Sequence, residues 1–358
     1  MAPCVAASAV APVAAEPIVV EAMNAQFFFA IYAGVGWAFG QLGKRYGAVD
    51  EKDEAKGTLN SEKTQLVIDS CVSTLYLLGA SSVGLLGSLR DISSASAVLG
   101  NAHWRQRIPV TMSLGVMEGL GSLISVVVVG YAGRHRMSTI APLIMNSLNA
   151  ISAPVLLAFL FGETLSGGFY AAMLALMLGI LLASGLTTQV SRKEEGGELG
   201  PGVVIAIGSS FVAILWSCGA LGARYIMDDV PQDLKTAWSS VSYAFGVMPM
   251  LLSPVCTIVA NGCFGEGVNT RRVLAGVGRR SKVCILCGML AGTGGLSLQL
   301  ALAGSAGGGA SLVGLSQGVY NISCVLLFKL IYQEPLSWLQ TTGILIMLIG
   351  IVTLSVAK

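Results

Sequence analysis

Residues 37 to 46 read WAFGQLGKRY, and residues 216 to 225 read WSCGALGARY. Trp37 falls on Trp216, Gly40 on Gly219, Leu42 on Leu221 and Gly43 on Gly222, and the closing Arg45 and Tyr46 fall on Arg224 and Tyr225. The chain has only five tryptophans in 358 residues, so a match that aligns two of them with two glycines and an Arg-Tyr end points to duplication rather than chance. A second match follows in the same order. FGETLS at 161 to 166 lines up with YQEPLS at 332 to 337, placing Glu163 on Glu334, Leu165 on Leu336 and Ser166 on Ser337, with Gly179 on Gly350 further along.

Working outward from these matches, the flanking sequence is apolar almost throughout. Hydrophobic residues make up 54% of the chain and charged residues 11%, against roughly one quarter charged in a soluble domain. The mean hydropathy is +0.75. A helix needs about 20 apolar residues to cross the hydrocarbon core. Runs of that length are expected near 26 to 46, 67 to 89, 108 to 132, 137 to 161, 167 to 189, 202 to 226, 236 to 260, 282 to 304, 309 to 332 and 337 to 357. Polar breaks such as GAVDEKDEAKGTLNSEK, GRHRM, SRKEEGGELGPG and MDDVPQD separate them; GSAGGGA at 304 to 310 is the weakest.

The expected fold is therefore all-α, a polytopic membrane protein of about ten helices. Residues 1–25 are expected to be a flexible tail, 26–189 the first five-helix unit, 190–201 the joining loop and 202–358 the second unit. Five crossings is an odd number, so the second copy would enter the membrane upside down relative to the first. Such inverted repeats are a common plan of secondary transporters, with the substrate site near the midplane between the copies.

The motif GVGWAFGQLGKRYG, repeated as WSCGALGARY, and the paired junctions F-G-E-x-L-S and Y-Q-E-P-L-S, in their order and spacing, resemble the drug/metabolite transporter superfamily, and its EamA-like members in particular. The resemblance covers the chain from about residue 26 to the end. It implies two inverted five-helix repeats, alternating access to a small organic metabolite, and a central cavity lined by the fourth and ninth spans. The long connection at 90 to 107 departs from the compact family pattern.

Ionisable and polar groups inside the apolar runs are the candidate site, because each is expensive in a bilayer. Glu118 lies well inside the third run, in TMSLGVMEGLGSLISVVVV, on a helical face with Gly115 and Ser122. It is either a proton- or cation-coupling carboxylate or a buried acid hydrogen-bonded to a neighbouring helix. Asn146 and Asn149 in the fourth run align with Gln317 and Tyr320 in the ninth, spaced i to i+3 in both. By the resemblance these four and the adjacent Asn321 line the cavity and bind substrate; interhelical hydrogen bonding, worth about 1 kcal/mol in membranes, is the alternative. Trp37, Gln41, Tyr76, Trp216, Tyr243 and Gln299 are further residues that could reach a ligand. Pro142 and Pro154 would bend the fourth run, and the glycines of the eighth, Gly288 and Gly292 among them, suit either close helix packing or a locally unwound backbone.

Other chemistry finds no support in the residues. The eight cysteines lie mostly inside apolar runs, and Cys284 and Cys287 form a CxxC without the histidines or second pair that a zinc site needs. His103 and His135 lie beside arginines, far apart. No nucleotide fingerprint stands between a strand and a helix, so neither an enzyme nor an ATP-driven pump is expected, and no cofactor or metal. The expected partners are a small-molecule substrate and the lipid bilayer, not nucleic acid; a homodimer is left open. A receptor or assembly subunit on the same scaffold is the alternative to a transporter.

Orientation is contested. Lys44, Arg45, Lys52, Lys56, Lys63, Arg134, Arg136, Arg192, Lys193 and the basic cluster from Arg271 to Lys282 all fall on the face opposite the termini. The positive-inside rule makes that face cytosolic, whereas the resemblance implies cytosolic termini. Plasma membrane and organelle membrane both remain open. Glu334 and Pro335 suit the first turn of a helix, with Glu163 the duplicate of the acid.

Overall fold

The computed structural model describes residues 16–49, 61–162, 165–183, 200–261, 267–303, 309–333 and 336–356. Glu163, Glu334, Pro335 and the expected joining loop up to residue 199 lie outside them. Among the described residues there is no strand. The helices are α1 Glu16–Ala48, α2 Glu62–Arg90, α3 Ile92–Gly100, α4 Ala102–Arg134, α5 Ile140–Phe161, α6 Gly167–Ala183, α7 Pro201–Ile226, α8 Lys235–Val247, α9 Leu252–Asn261, α10 Thr270–Leu302, α11 Gly309–Tyr332 and α12 Trp338–Val356. Among the described residues seven segments are long and apolar enough to cross a membrane: α2, α4, α5, α7, the α8–α9 rod, α10 and α11. The shorter apolar α6 and α12, together with α1, occupy the other three places expected from the sequence. Large apolar side chains such as Phe159, Leu174, Val259 and Leu330 face outward, as a lipid environment requires and water would penalise. The chain is an α-helical integral membrane protein.

Local chemistry sets the helix ends and moves several of them away from the apolar boundaries. Asn101 starts α4 by accepting hydrogen bonds from His103 N at 2.9 Å and Trp104 N at 3.3 Å. Asn269 does the same for α10 through Arg272 N at 3.1 Å. Both helices thus begin well before their apolar runs. Asp91 separates α2 from α3, and hydrogen bonds from Ser94 and Ser93 hold its carboxyl below the usual range, at about 2. At the other end of α5, Gly162 adopts φ +67° and ends the helix in the left-handed region that glycine tolerates best.

Three expectations change here. Residues 16–25, taken as part of a flexible tail, are the first turns of α1. Pro142 sits in the first turn of α5, where a missing N–H breaks no helical bond, leaving Pro154 as that helix's interior proline. The sharper break is elsewhere: Met248–Leu251 tightens into a 3-10 turn containing Pro249 and divides the rod into α8 and α9.

Close packing follows the glycines. Against α1 lie α10 and α11; against α7 lie α4 and α5; α2 packs on α10 and α8, and α6 on α12. Gly288 and Gly292 of α10 rest on the backbone carbonyls of Tyr76 and Ala80 in α2, while Gly115 and Gly119 of α4 rest on those of Gly246 and Met250. No side chain fits at these crossings. Because α10 is helical from Thr270 to Leu302, its glycines serve helix approach and do not mark an unwound segment. Basic residues are also redistributed. Lys44 and Arg45 are buried within α1, and Arg280 within α10, so none of the three is a loop charge in an orientation count.

Candidate functional site

A cavity of about 170 Å³ lies between α1, α2, α4, α5, α7, α8, α10 and α11. On α1 the cavity-facing residues are Trp37, Gln41 and Lys44, one turn apart at i, i+4 and i+7. From α4 come Thr111, Gly115, Glu118 and Ser122, again one face of one helix. Asn146 and Asn149 on α5 face Gln317 and Tyr320 on α11, so the two stripes paired in the sequence meet across the same space. Tyr76, Trp216, Tyr243 and Gln299 complete the polar and aromatic lining. Small residues make the room: Gly219, Ala220, Gly222 and Ala223 on α7, and Ala291 and Gly295 on α10.

Hydrogen-bond supply in this cavity is incomplete. Asn149 Oδ1 accepts from Ser217 Oγ at 3.0 Å. By contrast Gln41 Oε1, Gln317 Oε1, Gln299 Oε1 and Ser122 Oγ are buried without a hydrogen-bond partner. Each such group is costly away from water unless something else satisfies it, and four of them around one space describe a place for a hydrogen-bonding ligand or ordered water.

Two charges share the cavity. Lys44 is 2% exposed; its Nζ donates to Ser125 Oγ at 2.8 Å and lies over the rings of Tyr76 at 4.6 Å and Trp216 at 5.0 Å. Such a bracket suits an ammonium taken out of water. The Glu118 carboxylate lies against Gly219, filling the space that any side chain there would need. Lys44 and Glu118 feel each other's charge, but no direct ion pair joins them.

Of the residues singled out from the sequence, Glu118, Asn146, Asn149, Gln317 and Tyr320 come together on this cavity, as do Trp37, Gln41, Tyr76, Trp216, Tyr243 and Gln299. Asn321 does not. It is fully buried in the α5–α11 contact, where its Oδ1 accepts from Asn146 Nδ2 at 2.9 Å and its Nδ2 donates to Ser147 Oγ at 3.2 Å. Asn146 also donates to the Gln317 carbonyl at 2.7 Å. These bonds turn Asn321 from the cavity into a clamp between helices. Lys44 is the residue that the sequence reading placed elsewhere. Its position at the end of an apolar run suggested a loop charge, although its spacing from Trp37 and Gln41 carried the signal of a shared face. Cys284 and Cys287 pack against Gly43 and Gly47 of α1 and take no part in the cavity.

At the ends of the bundle two arginine clusters close the structure. Arg45 Nε donates to Ser138 Oγ at 2.6 Å and its guanidinium lies 4.5 Å from the Tyr332 ring centroid. Arg280 Nη1 donates to the Gly47 carbonyl at 2.8 Å. At the other end Arg224 lies 5.6 Å from the Phe161 ring centroid and pairs with Asp228 at 3.1 Å. Arg107 reaches the same carboxylate at 3.6 Å and donates to the Tyr225 carbonyl at 3.2 Å.

No family model matches the chain, and no curated protein matches it. A solved crystal structure, described only as that of a protein, is similar in fold, with a TM-score of 0.54 and 17% identity over 94% of this chain and 97% of its own. At that identity the likeness concerns the fold alone.

Proposed function

We propose that this chain is a secondary carrier for a small organic metabolite, built on the drug/metabolite transporter plan of ten crossings in two inverted five-helix halves. The observation that carries this reading is the cavity itself: helices from both matched halves line it, and four buried polar groups on its lining residues are without partners. Helix packing supports the duplication, because exchanging the halves turns the α1–α10 and α1–α11 contacts into α7–α4 and α7–α5. The arginine clusters support it too. Tyr332 and Phe161 hold equivalent places in the YQEPLS and FGETLS motifs, and each stacks on the equivalent arginine. Within such a carrier, rocking of the halves would expose the cavity to each side in turn.

Substrate meets Asn146, Asn149, Gln317 and Tyr320, and Glu118 is the proton- or cation-coupling residue. Sharing the cavity with Glu118 are Lys44 of α1, Tyr76 of α2 and Tyr243 of α8. The test is uptake by purified protein in liposomes against a metabolite panel, with and without a pH gradient. Saturable uptake driven by the gradient is expected, and Glu118→Gln should transport without responding to it. Gradient-driven uptake that persists in Glu118→Gln removes the coupling role. Binding without translocation of any bound compound would replace the carrier by a receptor on the same scaffold.

A further inference from the structure

Helix α10 is longer than a membrane requires. Its 33 residues extend roughly 50 Å at 1.5 Å per residue, against about 30 Å of hydrocarbon. The excess lies at its start, where Thr270–Lys282 reads TRRVLAGVGRRSK and the apolar run begins only at Val283. Packing fixes this stem in place. Val273 is buried in one cluster with Val67, Ile68 and Val72 of α2, Asn269 N donates to Thr64 Oγ1 at 3.0 Å, and Arg280 reaches back to the Gly47 carbonyl. Val273, Val277, Arg280 and Cys284, at i, i+4, i+7 and i+11, therefore mark the inward face. On the opposite side Arg271, Arg272, Arg279 and Lys282 fall within about 100° of arc, and all four are exposed. Arg279 Nε donates to the Ala275 carbonyl at 3.0 Å, which lays the guanidinium along this stripe, and the space around Gly278 is open. The stripe continues into the apolar run with Leu286, 57% exposed. No Asp or Glu occurs between Thr270 and Leu302.

We infer that this face of the α10 stem binds the headgroup of an anionic phospholipid from the surrounding bilayer. The surface lies outside the cavity, and the inference does not depend on what the cavity carries. Lys282 borders the hydrocarbon, and Arg279 stands about 6 Å beyond Val283 along the helix, inside a headgroup layer roughly 5 to 7 Å deep on each side. These two cations hold the phosphate, Lys282 as a point charge and Arg279 as a planar fork of donors. Val283 and Leu286, both exposed one turn further into the membrane, take the acyl chain. Arg271 and Arg272 stand about 16 to 18 Å beyond Val283, past the roughly 8–10 Å over which salt leaves a charge felt, and contribute little. A zwitterionic headgroup brings an ammonium along with its phosphate and gains less from the same pair. A soluble anion gains nothing from the apolar stripe below.

The experiment is native mass spectrometry of the full-length protein, equilibrated in detergent with equimolar phosphatidylglycerol and phosphatidylcholine of identical acyl chains, reading which lipid is retained. The anionic lipid should be favoured at least about 10-fold. Arg279→Gln and Lys282→Gln should each lower that preference about 5-fold, which corresponds to about 1 kcal/mol per basic side chain at the surface. Arg271→Gln and Arg272→Gln should each lower it about 2-fold or less. Arg279→Lys keeps the charge and should keep the preference. Arg105→Gln removes an exposed arginine at the opposite end of the bundle and should leave it unchanged. Because these side chains are exposed, melting in lipid-free detergent should not move, which separates lost lipid from lost folding. Inorganic phosphate and poly-glutamate, each in excess, should fail to displace the lipid. The inference is overturned if the two lipids are retained equally, if the double variant Arg279→Gln/Lys282→Gln keeps the preference, or if Arg271→Gln lowers it more than Arg279→Gln does. Displacement by phosphate or by poly-glutamate also overturns it, and assigns this face to a free anion or to an acidic protein segment instead.

Discussion

Helices α1 and α7 carry the best-matched stretch of the chain and present different faces to the same cavity. From α1 come Trp37, Gln41 and Lys44; from α7, at the equivalent places, come Trp216, Ala220 and Ala223. The glycines between them are retained. Gly40 makes room for the Tyr76 hydroxyl and Gly219 for the Glu118 carboxylate. The matched glycines that set how close helices approach are thus the same in both, while of the three matched cavity positions only the tryptophan is, since Gln41 and Lys44 fall on Ala220 and Ala223. Matched glycines flank a cavity whose charge, at these positions, comes from α1 alone.

The largest expected effect breaks that one-sidedness directly. Lys44→Met should reduce transport on the order of 100-fold, about 2.8 kcal/mol, with thermal stability unchanged or raised, since an apolar side chain of similar length replaces a buried charge. Ala223→Lys should not restore transport in that background, because the adjoining Gly222 meets Thr111 and Leu114 of α4, about three to four helical turns from the Ser125 that receives the ammonium. Initial uptake rates in liposomes and melting in detergent check both parts. Rescue by Ala223→Lys would mean that the two halves are interchangeable at the site.

A second effect examines the symmetric part. Gly115 rests on the Gly246 carbonyl and Gly288 on the Tyr76 carbonyl, so a methyl group at either must push backbone apart. Gly115→Ala and Gly288→Ala should each cost about 1–3 kcal/mol of stability, and the two losses should agree within about 1 kcal/mol if the crossings are equivalent. Gly276→Ala is the control on α10. Open space surrounds it, so the helix should gain up to about 1 kcal/mol. Reversible unfolding in detergent compares all three.

Much of this organisation could be read in the sequence, for reasons that differ by residue. Glycine and tryptophan are hard to replace at tight crossings, so the two matched stretches stood out in the sequence. Glu118, Asn146, Asn149, Gln317 and Tyr320 stood out because polarity in an apolar run demands an explanation, and all five line the cavity. Lys44 was hidden by its place near the end of a run, where hydropathy cannot separate a charge that leaves the helix from one that turns inward. Asn321 shares a helical face with Gln317 four residues before it, but face arithmetic does not reveal that the Asn146 amide takes its oxygen. Helix ends were displaced because α4 and α10 start at asparagine caps, and arginines such as Arg271 and Arg272 sustain a helix where they cannot sustain a hydropathy window.

The smallest expected effect lies at the two ends of the bundle, where matched arginines stack on matched aromatic rings in unequal surroundings. Arg45 is 5% exposed and has Ser138 as its hydrogen-bond acceptor. Arg224 pairs with Asp228, whose side chain is 40% exposed. Arg45→Met should therefore cost about 1.5–3 kcal/mol, the range for a hydrogen bond to a charged group. Arg224→Met should cost about 1 kcal/mol or less, as partly exposed ion pairs do. Salt sharpens the contrast, because about 1 M salt screens exposed charges over roughly 3 Å and should shrink the Arg224 effect while sparing that of Arg45. Double-mutant cycles with Tyr332→Leu and Phe161→Leu isolate the stacking. Coupling of about 0.5–2 kcal/mol is expected, larger for Arg45, whose guanidinium is 4.5 Å from its ring centroid against 5.6 Å for Arg224. Coupling at one end only would make the stacked arginine a property of that end, and the matched Arg-Tyr motif would then have to be explained by helix termination instead.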